Sequence, residues 1–454
     1  MELGFDTIGN ATLIVHDREP VLVTDPWVRG PAYFGSWGLG HEVPDEQLAD
    51  ISACPFVWFS HGHPDHLNAE SLPLFRGKTI LVPDHRGGRI RNDLVREGHR
   101  VRVLEDRRWV KLSDRVRVLC IADYNQDAIL LVDVGGTLVV DLNDASDRGW
   151  GTFVRRTVKA YERSFLLSLC NYGDADMMNF HDEDGEFIEP AAAARWPIGA
   201  LVNEKLRTFG TTGFIPFSSL HRYERADSVW ANRYCATMDD YANGFDPSLG
   251  ELLPAFVRFD VLAGRHEEIA PRERPLVVRD PKDHGDDWSE QLERDEVKLA
   301  VKYFRSIERL ATFLDFVNLH VGGRNHVIEL STRSFQRGVT FEAPRGSLVN
   351  ALRYEVFDDI LIGNFMKTTL HGRWPARSLY PDFTPYVAKY ADNGRAKTHD
   401  ELDAYFKAYR RRAPFDYIRH HFEERSKKAV RGALRDDSRL YKAAKHVYWR
   451  LRSA

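Results

Sequence analysis

Potential metal ligands are concentrated in the segment 60–66, which reads Ser-His-Gly-His-Pro-Asp-His. The ligand candidates in it are His61, His63, Asp65 and His66. The segment directly follows an apolar run, 56–59, of the kind that forms a buried strand. Alternate residues of an extended chain lie on one side, so the two histidines of His-Gly-His should point to one place, and the following pair should curl toward a second. Imidazole and carboxylate suit zinc, iron and manganese. The spacing therefore predicts a site for two metal ions.

Short strands are predicted on both sides of this segment. Apolar runs bounded by turn residues occur at 12–15, 21–24, 56–60, 79–82, 116–121, 128–132 and 137–140. The last two runs flank Gly135-Gly136, which is a strong hairpin signal. Helical stretches are predicted near 68–76 and 86–98. Strands of mixed length with few helices favour packed layers over a doubly wound sheet.

The middle of the chain is predicted to be helical, with one polar loop. Helices are expected at 153–169 and 190–208, the loop at 171–185, and a short strand at 214–217. The stretch 271–287 is charged and contains proline, which is typical of a domain boundary. We therefore predict a catalytic domain at 1–285 and a C-terminal extension at 286–454.

The extension is predicted to be α+β and mostly helical. Helices are expected near 289–317, 347–370 and 400–412, and strands around 326–331 and 338–342. The final segment, 416–454, is helical in pattern and rich in arginine and lysine. A basic amphipathic helix can make peripheral contact with an anionic membrane or bind nucleic acid, whereas the alternative is a solvated face packed on the domain.

Composition excludes several classes of protein. The 454 residues carry a formal net charge of −4, which gives no overall attraction to nucleic acid or to anionic membranes. The four cysteines are scattered, so neither a disulfide framework nor a built-in Rieske or ferredoxin centre is expected. No apolar run reaches the length of a membrane-spanning helix, and the N-terminus has no signal-peptide pattern. A cytoplasmic protein is expected.

The segment 60–66 resembles the metal-binding signature of the metallo-β-lactamase superfamily. Residues 9–15 and 22–27 are similar to the opening hairpin of its UlaG-like branch. Residues 25–32, Trp37, His41-Glu42, Pro44 and Pro216-Phe217 resemble the metallo-β-lactamase portion of the CMP-N-acetylneuraminate hydroxylases, without their Rieske domain. The resemblance implies an α/β fold, an αββα sandwich, followed by the C-terminal extension.

The resemblance also implies further ligands. Asp144 stands where the family has its metal-bridging carboxylate, and His221 is the one histidine that follows the strand at 214–217 closely enough to be the last ligand. The family usually has another histidine between these, but the matching stretch 121–127 has none. Asp123, Asn125 or Asp127 must replace it, and Asp123 is favoured because it ends the preceding strand.

Substrate contacts are expected from loops near the metals. In the resemblance, Trp37 and His41 belong to the loop over the metal ions, and the alternative is a loop merely held together by aromatic residues. His181 lies in the polar loop with two acidic neighbours, where it lines the substrate pocket, binds metal, or is an ordinary surface histidine.

Two reaction classes follow. The favoured one is an iron-dependent hydroxylase or monooxygenase that activates dioxygen on a small metabolite and takes electrons from a separate donor such as a ferredoxin and its reductase. The alternative is a zinc-type hydrolase of an ester, thioester, amide or phosphodiester, in which Asp65 or Asp144 holds the attacking water. A metal-bearing binding module without catalysis is a third interpretation.

Overall fold

The computed structural model describes residues 1–146, 150–170, 177–332 and 334–422. The strands of the first 145 residues are β1 (Leu3–Ile8), β2 (Thr12–Asp17), β3 (Glu19–Thr24), β4 (Trp37–Leu39), β5 (Phe56–Trp58), β6 (Thr79–Pro83), β7 (Arg100–Leu104), β8 (Trp109–Lys111), β9 (Val116–Ala122), β10 (Ala128–Val134) and β11 (Thr137–Asn143). They are followed by β12 (Arg163–Ser168), β13 (Phe180–His181), β14 (Gly213–Pro216), β15 (His221–Tyr223), β16 (Glu251–Leu252), β17 (Val257–Asp260) and β18 (Arg265–Glu268). The last four are β19 (Phe316–Val321), β20 (Arg324–Glu329), β21 (Arg337–Glu342) and β22 (Lys367–Gly372).

The α-helices are α1 (Asp45–Ala53), α2 (Arg89–Arg96), α3 (Gly151–Val158), α4 (Ile198–Phe209), α5 (Met238–Ala242), α6 (Arg294–Ser306), α7 (Arg345–Tyr354), α8 (Phe357–Ile362) and α9 (His399–Arg412). A π-helix spans Pro385–Asn393, and short 3₁₀ turns connect several elements.

Two large sheets pack face to face. The first has eight strands in the order β18-β17-β1-β2-β3-β5-β6-β7, and the second has seven in the order β16-β14-β12-β11-β10-β9-β8. Alternation along the strands determines which face each side chain occupies. On β2, Leu13 and Val15 join the core between the sheets, whereas Ile14 faces the opposite way, against α1 and α2. On β9, Cys120 faces the other sheet, while Ile121 packs toward α3 and α4. The result is an αββα sandwich, as predicted.

The predicted hairpin between β10 and β11 is confirmed. Val134 pairs with Thr137, which leaves only Gly135 and Gly136 in the turn. Both glycines have positive φ angles, of 58° and 91°, which is the backbone of the tight turns that match strand twist. This hairpin carries the chain back to the end of β11, where the candidate site begins.

A separate five-stranded sheet follows the sandwich along the chain. Its order is β13-β22-β21-β19-β20, and it packs with α6, α7 and α8 around its own apolar core. The short strand β13 comes from the segment 177–188 and pairs in parallel with β22 through Phe180 and His181. The extension is therefore α+β, in agreement with the sequence.

Three predicted helices are wrong in their extent. The segment 153–169 is α3 followed by β12, which lies in parallel between β11 and β14. The segment 289–317 ends its α-helix at Ser306 and runs into β19, and 347–370 divides into α7, α8 and β22. The first error has a clear cause: β12 is buried on both faces, and such a strand is a continuous apolar run that periodicity alone cannot distinguish from a buried helix.

The C-terminal residues 414–422 are helical, and the rest of the predicted basic helix lies outside the described residues. Helix α9 and the π-helix pack their tyrosines against Tyr124 in the β9–β10 turn. Within the described ranges, no helix is both long and apolar enough to cross a bilayer.

Candidate metal centre

Asp25 fixes the start of the metal-binding segment. Strands β3 and β5 are parallel neighbours, with Thr24 paired to Trp58, so the residues that follow them meet at one edge of the sheet. The Asp25 carboxylate accepts hydrogen bonds from the Ser60 backbone N–H at 2.8 Å and from Ser60 Oγ at 2.6 Å. Its Oδ2 lies 3.1 Å from His66 Nδ1. Asp25 thereby orients the His66 ring and leaves Nε2 to point at the centre.

Asp144 arrives from the other sheet, directly after β11. Its Oδ2 lies 3.2 Å from His66 Nε2 and 3.8 Å from His61 Nε2. Its Oδ1 accepts a hydrogen bond from Ser218 Oγ at 2.7 Å. The adjacent Asn143 donates Nδ2 to Asp25 Oδ2 at 2.5 Å. The ends of both sheets are therefore tied together around His66.

Left-handed backbone is concentrated at this edge. Asp25, Asn143 and Ser218 have φ angles of 39°, 49° and 69°, and none of them is a glycine. Such conformations cost on the order of 1–3 kcal/mol each and persist where the surrounding structure holds them, which is typical of functional sites.

Asp65 is held as an anion beside His66. Tyr33 OH donates to its Oδ1 at 2.5 Å, Asn10 Nδ2 donates to its Oδ2 at 2.9 Å, and His66 Nε2 is 3.2 Å from the same Oδ2. Burial alone would raise the pKa of Asp65, but His66, His63 and the Tyr33 hydroxyl lower it below its usual range. A buried carboxylate kept ionised in this way is suited to bind a cation.

The two buried histidines next to these carboxylates, His61 and His66, have pKa values shifted in opposite directions. Burial, together with the neighbouring His66 and His63, lowers the pKa of His61 well below its usual value. Burial also opposes charge on His66, but Asp65, Asp144 and Asp25 raise its pKa well above the usual value. His61 is therefore already in the neutral form that binds metal. His66 must release a proton, so metal binding is coupled to proton release.

His63 connects this group to the C-terminal part of the chain. Its Nδ1 lies 2.9 Å from His61 Nε2, and its Nε2 lies 3.0 Å from Asp358 Oδ2 in α8. Donor atoms of His63, Asp358 and Asp359 all lie within 4.8 Å of one another, as do those of His61, His66 and Asp144. Two neighbouring donor groups therefore share the metal-binding segment.

His221 lies beside the first donor group with both ring nitrogens buried and without a hydrogen-bond partner. It is 7% exposed and stacks on Trp37, with ring centroids 3.2 Å apart and planes 3° apart. Burial lowers its pKa to about 3, even though Asp65 and Asp144 act in the opposite direction. A neutral, buried imidazole without a partner is otherwise costly, and a metal ion would satisfy it.

These residues fit divalent metal ions. Ligand atoms bound to one ion at about 2.1 Å each lie at most about 4.2 Å apart. The measured separations of 3.2, 3.8 and 3.0 Å are below that limit. Three histidines, ionised carboxylates and the orphaned nitrogens of His221 are the donor set that such ions require.

Asp123 is placed in the β9–β10 turn. Its Oδ1 accepts the backbone N–H groups of Asn125 at 2.7 Å and Asp127 at 3.1 Å. Asn125 donates Nδ2 to Asp127 Oδ2, and Lys389 Nζ lies 3.8 Å from Asp127 Oδ1. Among the described residues, no group of clustered metal donors includes any of the three. The replacement of the missing histidine by one of them stays a prediction.

The predicted substrate-binding residues are placed apart from one another. Trp37 touches the candidate ligand His221. His41 lies at a bridge to Glu273 and packs on Phe256, with ring centroids 5.1 Å apart. His181 is in β13, and its two ring nitrogens lie 3.2 Å from Gly185 O and 3.2 Å from Asn179 Oδ1. Only Trp37 is brought to the donor groups, and the substrate role of all three stays a prediction.

Several residues of the centre were not assigned from the sequence. They are Asn10, Asp25, Tyr33, Ser60, Asn143, Ser218, Asp358 and Asp359. The positions of Asp25 and Asn143 gave a usable signal. Asp25 directly follows β3, Asn143 ends β11, and both strands run toward the same edge. The aspartates of α8 had none, since 295 positions separate His63 from Asp358.

The Asp25→Asn variant is expected to bind metal about 10- to 100-fold more weakly, because the amide offers one acceptor where Asp25 now receives several donors and orients His66. Competition with a coloured chelator measures the affinity. Asp17→Asn is the matched control, since Asp17 is also buried and accepts hydrogen bonds from Ser113 and Arg115 at the far end of the β2–β3 hairpin. Equal affinities in the two variants would contradict the assigned role.

Comparison with known proteins gives partial matches. No protein-family model matches the chain. A cytidine monophosphate-N-acetylneuraminic acid hydroxylase from Asterias rubens is 26% identical over 140 residues, which is 29% of this chain and 21% of that protein. A protein of Mycobacterium tuberculosis named as a Rieske 2Fe-2S iron–sulfur protein is 35% identical over 97 residues, 20% of this chain and 18% of that protein. The chain thus spans about a fifth of the length of these relatives.

Solved structures with a similar arrangement include Igni18, a metallo hydrolase from Ignicoccus hospitalis, at 12% identity and a TM-score of 0.37, covering 57% of this chain and 98% of that one. The metallo-β-lactamase fold protein YhfI from Bacillus subtilis has 12% identity and a TM-score of 0.31, covering 57% and 92%. The chain's own two-sheet sandwich and its His-x-His-x-Asp-His segment at the sheet edge carry the assignment. The protein has the two-sheet αββα arrangement of the metallo-β-lactamase fold and is similar, over 29% of its length, to a CMP-N-acetylneuraminic acid hydroxylase.

Proposed function

We propose that the chain is a metal-dependent oxygenase that uses two iron ions to hydroxylate a small metabolite. The observation that carries this proposal is the carboxylate-rich donor set. Asp65 and Asp144 lie beside His66, and Asp358 and Asp359 lie beside His63. Carboxylate oxygens are harder and more anionic donors than imidazole, which favours higher-valent iron over zinc. The names of the partial relatives, a hydroxylase and an iron–sulfur protein, support the same class of chemistry.

The reaction needs electrons that this chain does not store. Bound iron supplies the redox chemistry that activates dioxygen, and the balance is R–H + O₂ + 2 e⁻ + 2 H⁺ → R–OH + H₂O. None of the four cysteines forms a disulfide, and Cys54, Cys120 and Cys170 are buried apart from the donor groups. A separate donor, such as a ferredoxin with its reductase, would therefore provide the two electrons.

The chain's own residues hold the geometry and the charge of the centre. Tyr33 and Asn10 orient the Asp65 carboxylate, and Ser218 orients that of Asp144. Both aspartates have a pKa below the usual range: burial opposes this, but His66 outweighs it. Both therefore stay ionised at neutral pH, which suits them to bind a cation and makes them weak proton acceptors. The Trp37 ring covers one face of His221 and keeps water from it.

A zinc-type hydrolase is the second candidate. His61, His66 and Asp144 converge on one position, which is a three-ligand arrangement that leaves a coordination site for water. A metal ion lowers the pKa of bound water from about 15.7 to about 7, and Asp65 would orient that water toward an ester, thioester, amide or phosphodiester. This candidate needs no electron donor.

Metal analysis of freshly purified protein, grown without added metal, tests the proposal together with Mössbauer spectra under anaerobic reduction. We expect about two irons per chain that oxidise when O₂ is admitted. A His66→Ala variant is the control. It lacks the imidazole that lies beside both Asp65 and Asp144, so it should show no oxygen-dependent spectral change. Two zinc ions with no response to O₂ would refute the oxygenase and direct the search to a panel of hydrolase substrates.

A further inference from the structure

Helix α8 begins with two adjacent aspartates that face the metal-binding segment. Phe357 is fully buried in the C-terminal core, and its N–H donates to Asp392 Oδ2 at 3.3 Å, which fixes the first turn of the helix. Asp358 follows it, is 2% exposed and lies 3.0 Å from His63 Nε2 through Oδ2. The anchored turn therefore delivers a carboxylate from the C-terminal region to a histidine of the sandwich.

We propose that His63, Asp358 and Asp359 bind the second metal ion. The assignment rests on the metal-dependent function proposed above. Donor atoms of the three residues lie within 4.8 Å of one another. His63 Nδ1 also lies 2.9 Å from His61 Nε2, so this group adjoins the group formed by His61, His66 and Asp144. Two ions bound in this way would be neighbours.

No lysine or arginine of the described residues pairs with these carboxylates, and the partner of Asp358 is His63 itself. Lys389 is buried nearby, but its Nζ forms a salt bridge with Asp127 rather than with Asp358. The guanidinium of Arg89 donates to the carbonyl oxygens of Glu355 and Tyr354. Neither cation lies within salt-bridge distance of Asp358 in the described part of the chain.

The Asp359 carboxylate has fewer interactions with the described residues than that of Asp358. Among the described residues its carboxylate accepts no hydrogen bond, although it is only partly exposed and stands next to the buried Asp358. Two neighbouring carboxylates withdrawn from water repel each other, and burying such charge is costly unless it is paired or bound to a metal. A divalent cation coordinated by both, with His63 as the third ligand, removes that cost.

This assignment changes the expected character of the site. Where the family resemblance implied one substituting carboxylate from the β9–β10 turn, α8 supplies two from the other part of the chain. The second ion would then have one imidazole and two carboxylates, which is one carboxylate more and one imidazole fewer than the two-histidine, one-carboxylate set that holds many non-haem irons. Metal binding would also join α8 to the sandwich.

Metal stoichiometry in the full-length protein tests the proposal. Wild type, Asp359→Asn, Asp358→Asn and the double variant are loaded anaerobically with Co²⁺, dialysed, and analysed for metal per chain and for the visible absorption of bound cobalt. We expect the double variant to retain about one ion fewer than wild type, with loss of part of the cobalt spectrum. Asp359→Asn is the variant expected to fold, because the Asp359 carboxylate accepts no hydrogen bond from the described residues.

Two matched controls accompany these variants. Asp17→Asn alters another buried carboxylate, one that accepts hydrogen bonds from Ser113 and Arg115 and lies outside both donor groups, and it should bind as much metal as wild type. Asp123→Asn tests the ligand implied by the family resemblance. Wild-type stoichiometry and spectrum in both Asp359→Asn and the double variant would overturn the assignment, as would loss of an ion in Asp123→Asn alone. Oxygen reactivity plays no part in this readout, so failure of the oxygenase proposal is seen separately.

Discussion

An Asp65→Ala variant is expected to bind about one metal ion per chain, where wild type binds two. Asp65 Oδ2 is 3.2 Å from His66 Nε2, and two hydrogen-bond donors hold the carboxylate in place. Removing it deletes an anionic ligand and a compensating charge for the ion at His66. Metal analysis after anaerobic loading gives the stoichiometry, and circular dichroism checks the fold.

Tyr33→Phe provides the comparison for Asp65→Ala. It removes the hydroxyl that donates to Asp65 Oδ1 but leaves the carboxylate and the Asn10 hydrogen bond. Two ions should remain, but they should be bound more weakly. Loss of a hydrogen bond that orients a ligand typically lowers metal affinity by about 10- to 100-fold. Two tightly held ions in Asp65→Ala would show that the ligand set is wrong.

Replacing Arg225 with methionine is expected to lower the free energy of unfolding by about 3–5 kcal/mol, the cost of breaking a buried ion pair. The Arg225 side chain is completely buried. It pairs with Asp286 and Asp227, each at 2.8 Å, and donates to Phe34 O at 2.9 Å. Its guanidinium also lies 4.0 Å from the centre of the Phe365 ring. Methionine fills similar volume but leaves the buried Asp286 without its cation.

Urea unfolding of the metal-free protein measures this effect. Arg377→Met is the matched control, since Arg377 is mostly exposed and pairs with Asp182 at 3.4 Å across the surface. A surface pair of this kind contributes about 0–1 kcal/mol. If the two variants unfolded at the same urea concentration, the contacts of Arg225 with Asp286 and Phe365 would not stabilise the fold.

The sandwich and the closely spaced histidines of the donor groups were accessible from the sequence because their signals are local. His61, His63, Asp65 and His66 lie within six residues. In the strands on either side, the alternation of the sequence shows which side chains share a face. Asp144 was found only because its strand end matched a family pattern. The structure then places its carboxylate 3.2 Å from His66.

What could not be predicted depends on contacts between distant parts of the chain. The aspartates of α8 are far from His63 in sequence, so no spacing pattern links them to it. The apolar residues around them predicted a long helix over 347–370. Asn364, with a φ of 56°, instead stops the chain from continuing as a helix before β22. The strand β12 was missed for a similar reason, since its apolar centre, 165–167, is buried on both faces.

The pairing of β13 with β22 has a consequence for dissecting this protein. Residues 177–188 precede the predicted boundary at 285, yet Phe180 and Ile188 belong to the C-terminal core, and Asn179 O accepts the N–H of Thr368. A fragment that begins at 286 would expose this side of β22 and the apolar surface beneath it. Open strand edges are templates for intermolecular pairing, so such a fragment should aggregate, and a soluble one would have to carry the β13 segment with it.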